Sequence, residues 1–401
     1  MGYDYLSNAK RQYWITLFQA LIPAYVIERL FWQARGVGVQ GVVWCEIIYA
    51  VTVTLLEIPS GILADRFGRK RMLLLGCLLD AAEMVILLFA RSFWAFGLAV
   101  FLAGVGRALS SGSGSALLYD SLLAAGKQDG FERTLGRLRA IDMAGSMAAA
   151  LSGGLLANRL GFEFNYLISA CAMGLAFLAA LTLREPPMIT KPESGLTGNL
   201  QYAKQALALF RAAPLLLLYC LTGTLLGACL IYLDEFWQLL LEGVGVPVAL
   251  FGLVGAGLSL CRIPANLFAY RLKERHSYRA ILLAILAVSA AGYLAVYLAR
   301  KNALCLVPMA AMYLAAGAAD PLVEGYLHHR AESQIRATTE SIASLALRVL
   351  SIPLGLVFGW VSTRFSIFAG YLPLAMVCSV WVMVFLVWHR VKTGPASKQG
   401  L

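Results

Sequence analysis

The sequence has few charged residues and lacks the motifs of common enzyme sites. Only 14% of its 401 residues are Asp, Glu, Lys or Arg, against about 25% in an average soluble domain. It contains no G-x-S-x-G, no H-E-x-x-H and no phosphate-binding loop, and its four histidines show no metal-ligand spacing. These absences exclude the usual serine hydrolase, zinc peptidase and nucleotidase sites. We therefore expect no enzymatic activity, no metal and no cofactor.

Disulfides are not predicted either, because the eight cysteines fall almost entirely in apolar stretches without a C-x-x-C pair. Hydrophobic residues make up 60% of the chain, and the mean hydropathy is +0.73. At about 20 apolar residues per span, this length allows on the order of twelve membrane spans. The composition predicts an all-α protein embedded in a lipid bilayer, without a large soluble domain.

Apolar stretches of helical length predict twelve spans in two sets of six. The first set lies near residues 13–32, 42–63, 71–90, 93–118, 140–160 and 163–183. The second set lies near residues 214–236, 247–270, 278–298, 303–325, 341–360 and 367–388. The longest polar stretch separates them and contains three prolines. It predicts an amino-terminal bundle (1–183), a cytoplasmic linker (184–213) and a carboxy-terminal bundle (214–401).

The net charge of +11 comes from short loops rather than from one basic patch, so we expect no nucleic-acid partner. With both termini placed inside, 23 of the 33 Lys and Arg residues fall in inner segments and 6 in outer ones. This bias predicts cytoplasmic termini. Residues 1–14 lack a cleavable signal pattern, so we expect the first span to insert directly. We expect the protein to act as a monomer.

The two halves of the chain resemble each other. Residues 58–66 read IPSGILADR and residues 263–271 read IPANLFAYR, an offset of about half the chain. The repeat predicts two six-helix bundles related by pseudo-two-fold symmetry, an arrangement found in secondary transporters.

Residues 61–70, GILADRFGRK, carry a family resemblance. This segment resembles the loop between spans two and three of the major facilitator superfamily. We expect its glycines to permit a tight turn and close helix approach. The resemblance implies a latch on the cytoplasmic side, in which the aspartate faces span eleven and the second arginine reaches an acid on span four. The residues are Gly61, Asp65, Arg66, Gly68, Arg69 and Asp120. The alternative is a basic loop that serves only topology.

A second segment is similar to the motifs of proton-driven exporters in that superfamily. Arg107 precedes a glycine in span four, and Gly145, Gly153 and Gly154 keep the exporter spacing in span five. Two alanines replace the Gly-Pro pair of the motif, at positions 149 and 150. The resemblance implies antiport, whereas the missing proline keeps uptake or uniport open as an alternative.

Ionisable groups inside a membrane are costly and mark functional sites. The resemblance implies a cavity lined by spans one, four, seven and ten. The substrate-binding candidates on those spans are Glu28, Arg29, Arg107, Asp234, Glu235, Asp320 and Glu324. Arg107 and Asp320 are the deepest of them, and an ion pair at the rim is the alternative for Glu28 and Arg29. We place Arg262 nearer the cytoplasm, beside the gate.

A coupling proton needs a buried carboxylate that titrates near neutral pH. The candidates are Asp142, Asp80, Glu83 and Glu57. We prefer Asp142, because it precedes Gly145 by three residues and lies near Arg107 in the family's arrangement. Its alternative role is an N-terminal helix cap.

These patterns predict a secondary active transporter that exports a small organic solute, driven by the proton gradient. Both signs of charge in the cavity favour a zwitterionic or anionic metabolite, a metallophore or a drug-like compound as the substrate. We expect it in the bacterial cytoplasmic membrane. Nutrient uptake and a sensor without flux are the competing hypotheses.

Overall fold

The fold is helical throughout the described part of the chain. The computed structural model describes residues 5–187, 204–205, 208–300, 302–330 and 336–393, and no β-strand occurs among them. Eleven helices are long and apolar enough to cross a membrane, and a bent pair, Leu6–Val26 with Glu28–Ala34, makes a twelfth span. The prediction of an all-α, twelve-span membrane protein is confirmed.

The chain folds as two compact units. Unit 1 comprises Met1–Lys191 and Pro247–Ala256, and unit 2 comprises Pro192–Val246 and Gly257–Leu401. The predicted linker, residues 184–213, lies largely outside the described residues, so its role stays a prediction.

The α-helices whose bounds are defined are numbered here in chain order. Those of the first half are α1 (Leu6–Ala20), α2 (Glu28–Ala34), α3 (Val39–Phe67), α4 (Arg69–Phe89), α5 (Phe93–Ser110), α6 (Ser113–Ala124), α7 (Phe131–Leu160) and α8 (Phe162–Leu181). Those of the second half are α9 (Pro214–Gly243), α10 (Phe251–Arg275), α11 (Tyr278–Ala299), α12 (Leu306–His328), α13 (Arg336–Arg364) and α14 (Tyr371–Thr393).

The first span is broken, where the sequence predicted one continuous helix. After α1 the chain makes a 3-10 turn, Pro23–Val26, and enters α2 at an angle of 51°. Proline has no N–H to donate and fixes its own φ, so it interrupts the helical hydrogen bonding here. Glu28 and Arg29 consequently begin a separate short helix.

Side chains from α8 compensate the backbone groups freed by this break. The buried Asn165 amide donates to the carbonyls of Pro23 (3.1 Å) and Gly153 (2.8 Å). The Ser169 hydroxyl accepts a hydrogen bond from the Ala24 N–H at 3.2 Å. Irregular backbone at membrane depth persists only where such partners exist. The break is therefore a tertiary feature of unit 1.

The fourth and fifth spans also differ from their predicted bounds. The predicted span 93–118 is two helices, α5 and α6, separated at Gly112, whose φ is +73°. Glycine adopts this left-handed conformation without the steric cost that a Cβ brings. Helix α7 begins at Phe131, nine residues before its predicted start.

Small residues let helices of unit 1 approach closely. A Cβ on Gly153 would lie 2.6 Å from the Pro23 carbonyl oxygen, and one on Gly145 would lie 2.8 Å from the Cβ of Ala20. Gly154 is buried on the same helix. These three exporter-like glycines thus include two that pack α7 against the first span. Their part in antiport stays a prediction.

We predict that Gly153→Ala destabilises the protein because its Cβ has no room beside Pro23. Overpacking of this kind typically costs about 1–3 kcal/mol, so the thermal midpoint in detergent should fall by several degrees. Gly174→Ala in α8 is the matched control, because a Cβ there meets no described atom within 4 Å. Equal midpoints for the two variants would contradict the close approach.

Candidate functional site

Unit 2 contains an ionised cluster contributed by three helices. One Arg262 guanidinium nitrogen lies 3.8 Å from Asp234 Oδ2, and another lies 3.3 Å from Asp320 Oδ2. Tyr313 interacts with the Asp234 carboxylate. Two carboxylates therefore share a single guanidinium. We call Asp234, Arg262 and Asp320 the unit 2 triad.

The triad lies near the middle of its helices. At a rise of about 1.5 Å per residue, Asp234 is roughly 14 Å before the end of α9. By the same measure, Arg262 and Asp320 lie roughly 17 Å and 21 Å after the starts of α10 and α12. A typical hydrocarbon core is about 30 Å thick. The Arg262 guanidinium thus joins two acids near mid-helix, and its placement beside a cytoplasmic gate stays a prediction.

The triad is partly exposed and borders a pocket. The side chain of Asp320 is 62% exposed, and that of Arg262 is 34% exposed. Asp320 also lines a pocket between α9, α11 and α12, together with small or apolar residues such as Gly223, Gly227 and Met312. The two predicted binding residues Asp234 and Asp320 thus belong to one accessible charged centre.

Unit 1 holds a second polar network, centred on Asp80 of α4. The Gln19 amide donates to Asp80 Oδ2 at 3.3 Å, and the Arg107 guanidinium interacts electrostatically with the same carboxylate. The close crossing of α4 and α5 explains the arrangement, because a Cβ on Gly106 would lie 2.7 Å from Asp80 Oδ1. Glu83, one turn further along α4, interacts with Asp80 as a like charge.

Glu28 and Arg29 form part of a buried ion-pair group in unit 1. Arg29 is 4% exposed and lies 2.7 Å from Glu46 Oε1 and 3.6 Å from Glu28 Oε1. Its guanidinium also lies over the Trp32 ring, 4.9 Å from the centroid. The pairing ties α2 to α3. This geometry fits the ion-pair alternative for Glu28 and Arg29, with Glu46 as an added partner.

The loop between α3 and α4 connects to other parts of unit 1. The Arg69 guanidinium pairs with the Asp120 carboxylate and donates to the Ala116 carbonyl at 3.0 Å. The Glu185 carboxylate accepts the backbone N–H groups of Arg69 and Lys70 at 2.8 Å and 2.9 Å. Glu185 thereby caps α4, where a negative charge is favourable. The role of these contacts in a latch stays a prediction.

The motif glycines differ from each other. Gly68 has a φ of +96° and forms the turn between α3 and α4, as expected. The expectation of a turn or close approach is wrong for Gly61, which lies inside α3 with no described atom within 4 Å of a Cβ position. Arg66 is exposed and lies over the Phe67 ring. The side chain of Asp65 lies outside the described residues.

Two of the predicted proton carriers do not join these clusters. Asp142 is exposed inside α7 and makes no hydrogen bond or ion pair with the described residues. The helix-cap alternative is wrong, because α7 already begins at Phe131. Glu57 is likewise exposed on α3. The family's arrangement predicts that Asp142 lies near Arg107. In the structure, the Arg107 guanidinium interacts electrostatically with Asp80.

The last two substrate candidates interact electrostatically with the acids of the triad. Glu324 contacts His328 on the same helix, at 3.5 Å, and interacts with Asp320 as a like charge. Glu235 is partly buried beside Asp234.

Sequence reasoning missed Tyr313, Glu46 and Glu185 as partners. The signal available for Glu46 was its position as an acid inside a predicted span.

Twelve helical spans, ionised groups within several of them and a charged turn between the second and third define a polytopic membrane transporter. Residues 14–242 match the model of the Major Facilitator Superfamily. The match covers more than half of the chain, so the chain belongs to this superfamily. Its members are transporters of small molecules rather than enzymes.

Curated relatives match parts of the chain. Multidrug resistance protein MdtG of Citrobacter koseri is 28% identical over 55% of this chain and 54% of its own length. Drug efflux pump JefA of Mycobacterium tuberculosis is 26% identical over 36% of this chain and 28% of its own length. The uncharacterised transporter YuxJ of Bacillus subtilis is 24% identical over 63% and 66%. The chain thus spans about half of MdtG and under a third of JefA.

Solved structures share the fold over almost the whole chain. The nucleoside transporter NupG superposes with a TM-score of 0.72 at 15% identity, covering 96% of this chain and 99% of that one. A D-xylose-proton symporter superposes with a TM-score of 0.67 at 14% identity, covering 96% and 98%. At these identities the likeness shows the fold alone.

We predict that Arg262→Gln destabilises the protein more than Asp320→Asn, because it leaves two carboxylates without their shared cation. The thermal midpoint should fall by a few degrees, and the double variant should recover part of the loss, since interacting residues behave non-additively. Arg275→Gln, at the exposed end of the same helix, is the control. Additive losses would contradict the triad.

We predict that Glu185→Ala lowers the free energy of unfolding by about 1 kcal/mol, a typical value for a lost N-terminal cap. The reason is that the N–H groups of Arg69 and Lys70 lose their acceptor. Asp129→Ala, at an exposed turn, should change it by less than about 0.5 kcal/mol. Denaturant titration of the purified protein measures both. Indistinguishable values would rule out capping by Glu185.

Proposed function

We propose that this transporter exports a small organic solute across the bacterial cytoplasmic membrane in exchange for protons. Alternating access of a site near the bilayer midplane would move the solute, as in other transporters built from two repeated bundles. Protons and solute each favour one conformation to the extent that they bind it more tightly. The unit 2 triad is the observation that carries this proposal.

The charge balance of the triad supports a proton or a cationic group as its third partner. When all three side chains are ionised, two carboxylates oppose one guanidinium, which leaves one negative charge. An uncompensated charge at mid-helix is costly in a membrane. A proton on Asp234 or Asp320 compensates it in one state, and a positively charged group of the solute compensates it in the other. The two ligands therefore compete for the same charge.

The network around Asp80 also contains more carboxylates than cations, and it supports a role for a proton or a cationic group in unit 1. Asp80 and Glu83 lie together on α4, and the single guanidinium of Arg107 interacts with the first of them. The carboxylates are again in excess. We propose Asp80 and Glu83, rather than Asp142, as the coupling acids of this unit. The excess of carboxylates favours a zwitterionic or cationic drug-like solute over a simple anion.

The relatives support export, since the proteins named multidrug resistance protein and drug efflux pump are similar to this chain over part of their lengths. We also propose that both termini are cytoplasmic, which places the contact between Arg69 and Asp120 at the cytoplasmic ends of the spans. There the contact would hold an inward-closed state, as the family resemblance implies.

Proton-coupled uptake is the second candidate. It is favoured by Ala149 and Ala150, which replace the Gly-Pro pair of exporters, and α7 runs without a proline from Phe131 to Leu160. A symporter is also among the proteins with the same fold. Both candidates use protons, so the direction of solute movement distinguishes them.

We predict that proteoliposomes containing the protein release or take up protons when a substrate is added. A panel of amphipathic drugs and metal-chelating metabolites, read with a fluorescent pH probe, should identify a solute that moves against the proton. Asp320→Asn should reduce this coupled flux about tenfold or more, because the triad then carries no excess charge for a proton to neutralise. Arg107→Ala should weaken coupling through Asp80.

Asp129→Asn is the matched control, because it removes an exposed carboxylate from a turn between helices. Its coupled flux should equal that of the unmodified protein. Solute and proton movement in the same direction would overturn export in favour of uptake. Full coupled flux in Asp320→Asn would show that the triad does not carry the proton.

A further inference from the structure

Three metal-ligating side chains converge where α12 ends and α13 begins. Glu324 and His328 are four residues apart on α12 and share one face, and Glu340 reaches them from the first turns of α13. His328 Nε2 lies 3.5 Å from Glu324 Oε1 and 2.6 Å from Glu340 Oε1. The three potential ligand atoms all lie within 4.8 Å of one another. The cluster lies wholly within unit 2.

The spacing is close to that of a bound divalent ion. Zn²⁺ holds imidazole nitrogen and carboxylate oxygen at about 2.0–2.2 Å, so ligand atoms around it are roughly 3.4 Å apart in tetrahedral geometry. To reach this spacing, Glu340 Oε1 would move away from His328 Nε2, from 2.6 Å to roughly 3.4 Å, whereas Glu324 Oε1, at 3.5 Å from that nitrogen, would need little change. The remaining coordination positions would face solvent, since Glu324 is 65% and Glu340 46% exposed.

The chemistry of the donors selects a class of ion. Two carboxylates and a neutral imidazole carry two negative charges, which a divalent cation balances. An imidazole ligand suits zinc and its neighbours in the first transition series, whereas calcium and magnesium prefer oxygen ligands alone. We propose that Glu324, His328 and Glu340 bind one divalent transition-metal ion of the Zn²⁺ type.

A bound ion would tie the end of α12 to the start of α13. Glu324 contributes one ligand and lies one helical turn from Asp320, with which it interacts electrostatically. A cation on Glu324 therefore also reduces the negative charge near the triad. The metal site is separate from the triad in its ligands, and it does not depend on the direction of transport.

The test is metal binding by the full-length protein in nanodiscs after treatment with a chelator. Calorimetric titration with Zn²⁺ should show one saturable site per chain, and Co²⁺ should produce a visible absorption spectrum of imidazole and carboxylate ligation. His328→Ala and Glu340→Gln should each weaken Zn²⁺ binding at least tenfold. Zn²⁺ should raise the Tm of the unmodified protein but not that of His328→Ala.

His329→Ala is the matched control, because this adjacent histidine is exposed and contributes no atom to the cluster. It should keep the affinity and the Tm increase of the unmodified protein. Equal losses in His328→Ala and His329→Ala would overturn the proposal. Failure of the unmodified protein to bind Zn²⁺ saturably would also overturn it. The Tm without metal reports whether each variant is folded.

Discussion

The constraint on which this structure depends is that a membrane interior offers no water to an ionised side chain or a free backbone group. Each such group needs a partner from the protein or a route to solvent. Arg29 pairs with Glu28 and Glu46, and Arg262 pairs with Asp234 and Asp320. Arg107 interacts electrostatically with Asp80. The same requirement holds for the broken first span, where the Asn165 amide donates a hydrogen bond to the Pro23 carbonyl. Breaks and ionised side chains therefore occur in these helices where another part of the protein supplies a partner.

The spans could be predicted because the hydrophobic signal is local. A window of about 20 apolar residues identifies a span without knowledge of its neighbours. The predicted starts failed where a helix extends beyond its apolar stretch. Residues 131–139 are rich in charge and were predicted as a loop, yet they begin α7. That extension moved Asp142 from a predicted helix start to the interior of a helix. Hydropathy reports the bilayer and not the end of the hydrogen-bonded helix.

Partners could not be predicted in the same way, because a sequence does not show which helices cross. Asp234, Arg262 and Asp320 lie on three helices and are up to 86 positions apart in the chain. Asp80 and Arg107 come near each other because α4 and α5 cross closely at Gly76 and Gly106. The contact between Arg69 and Asp120 is predicted only by the family resemblance. The Glu185 cap of α4 lies in a segment that reads as linker, so no local pattern indicated it.

The excess of carboxylates is the feature that the proposed transport mechanism uses. An exactly balanced pair is a static support, since neither a proton nor a solute gains by entering it. A centre with one uncompensated negative charge differs, because its stability depends on a mobile positive charge. The unit 2 triad and the Asp80 network have this property, as does the Arg29 group with Glu28 and Glu46. If the charge is supplied by a proton in one state and by a solute in the other, the energy of the proton gradient reaches the solute without direct contact between them. In the proposed mechanism, the physical condition for coupling is an excess of carboxylate charge beside a cation, and the two acids around Arg262 meet this condition.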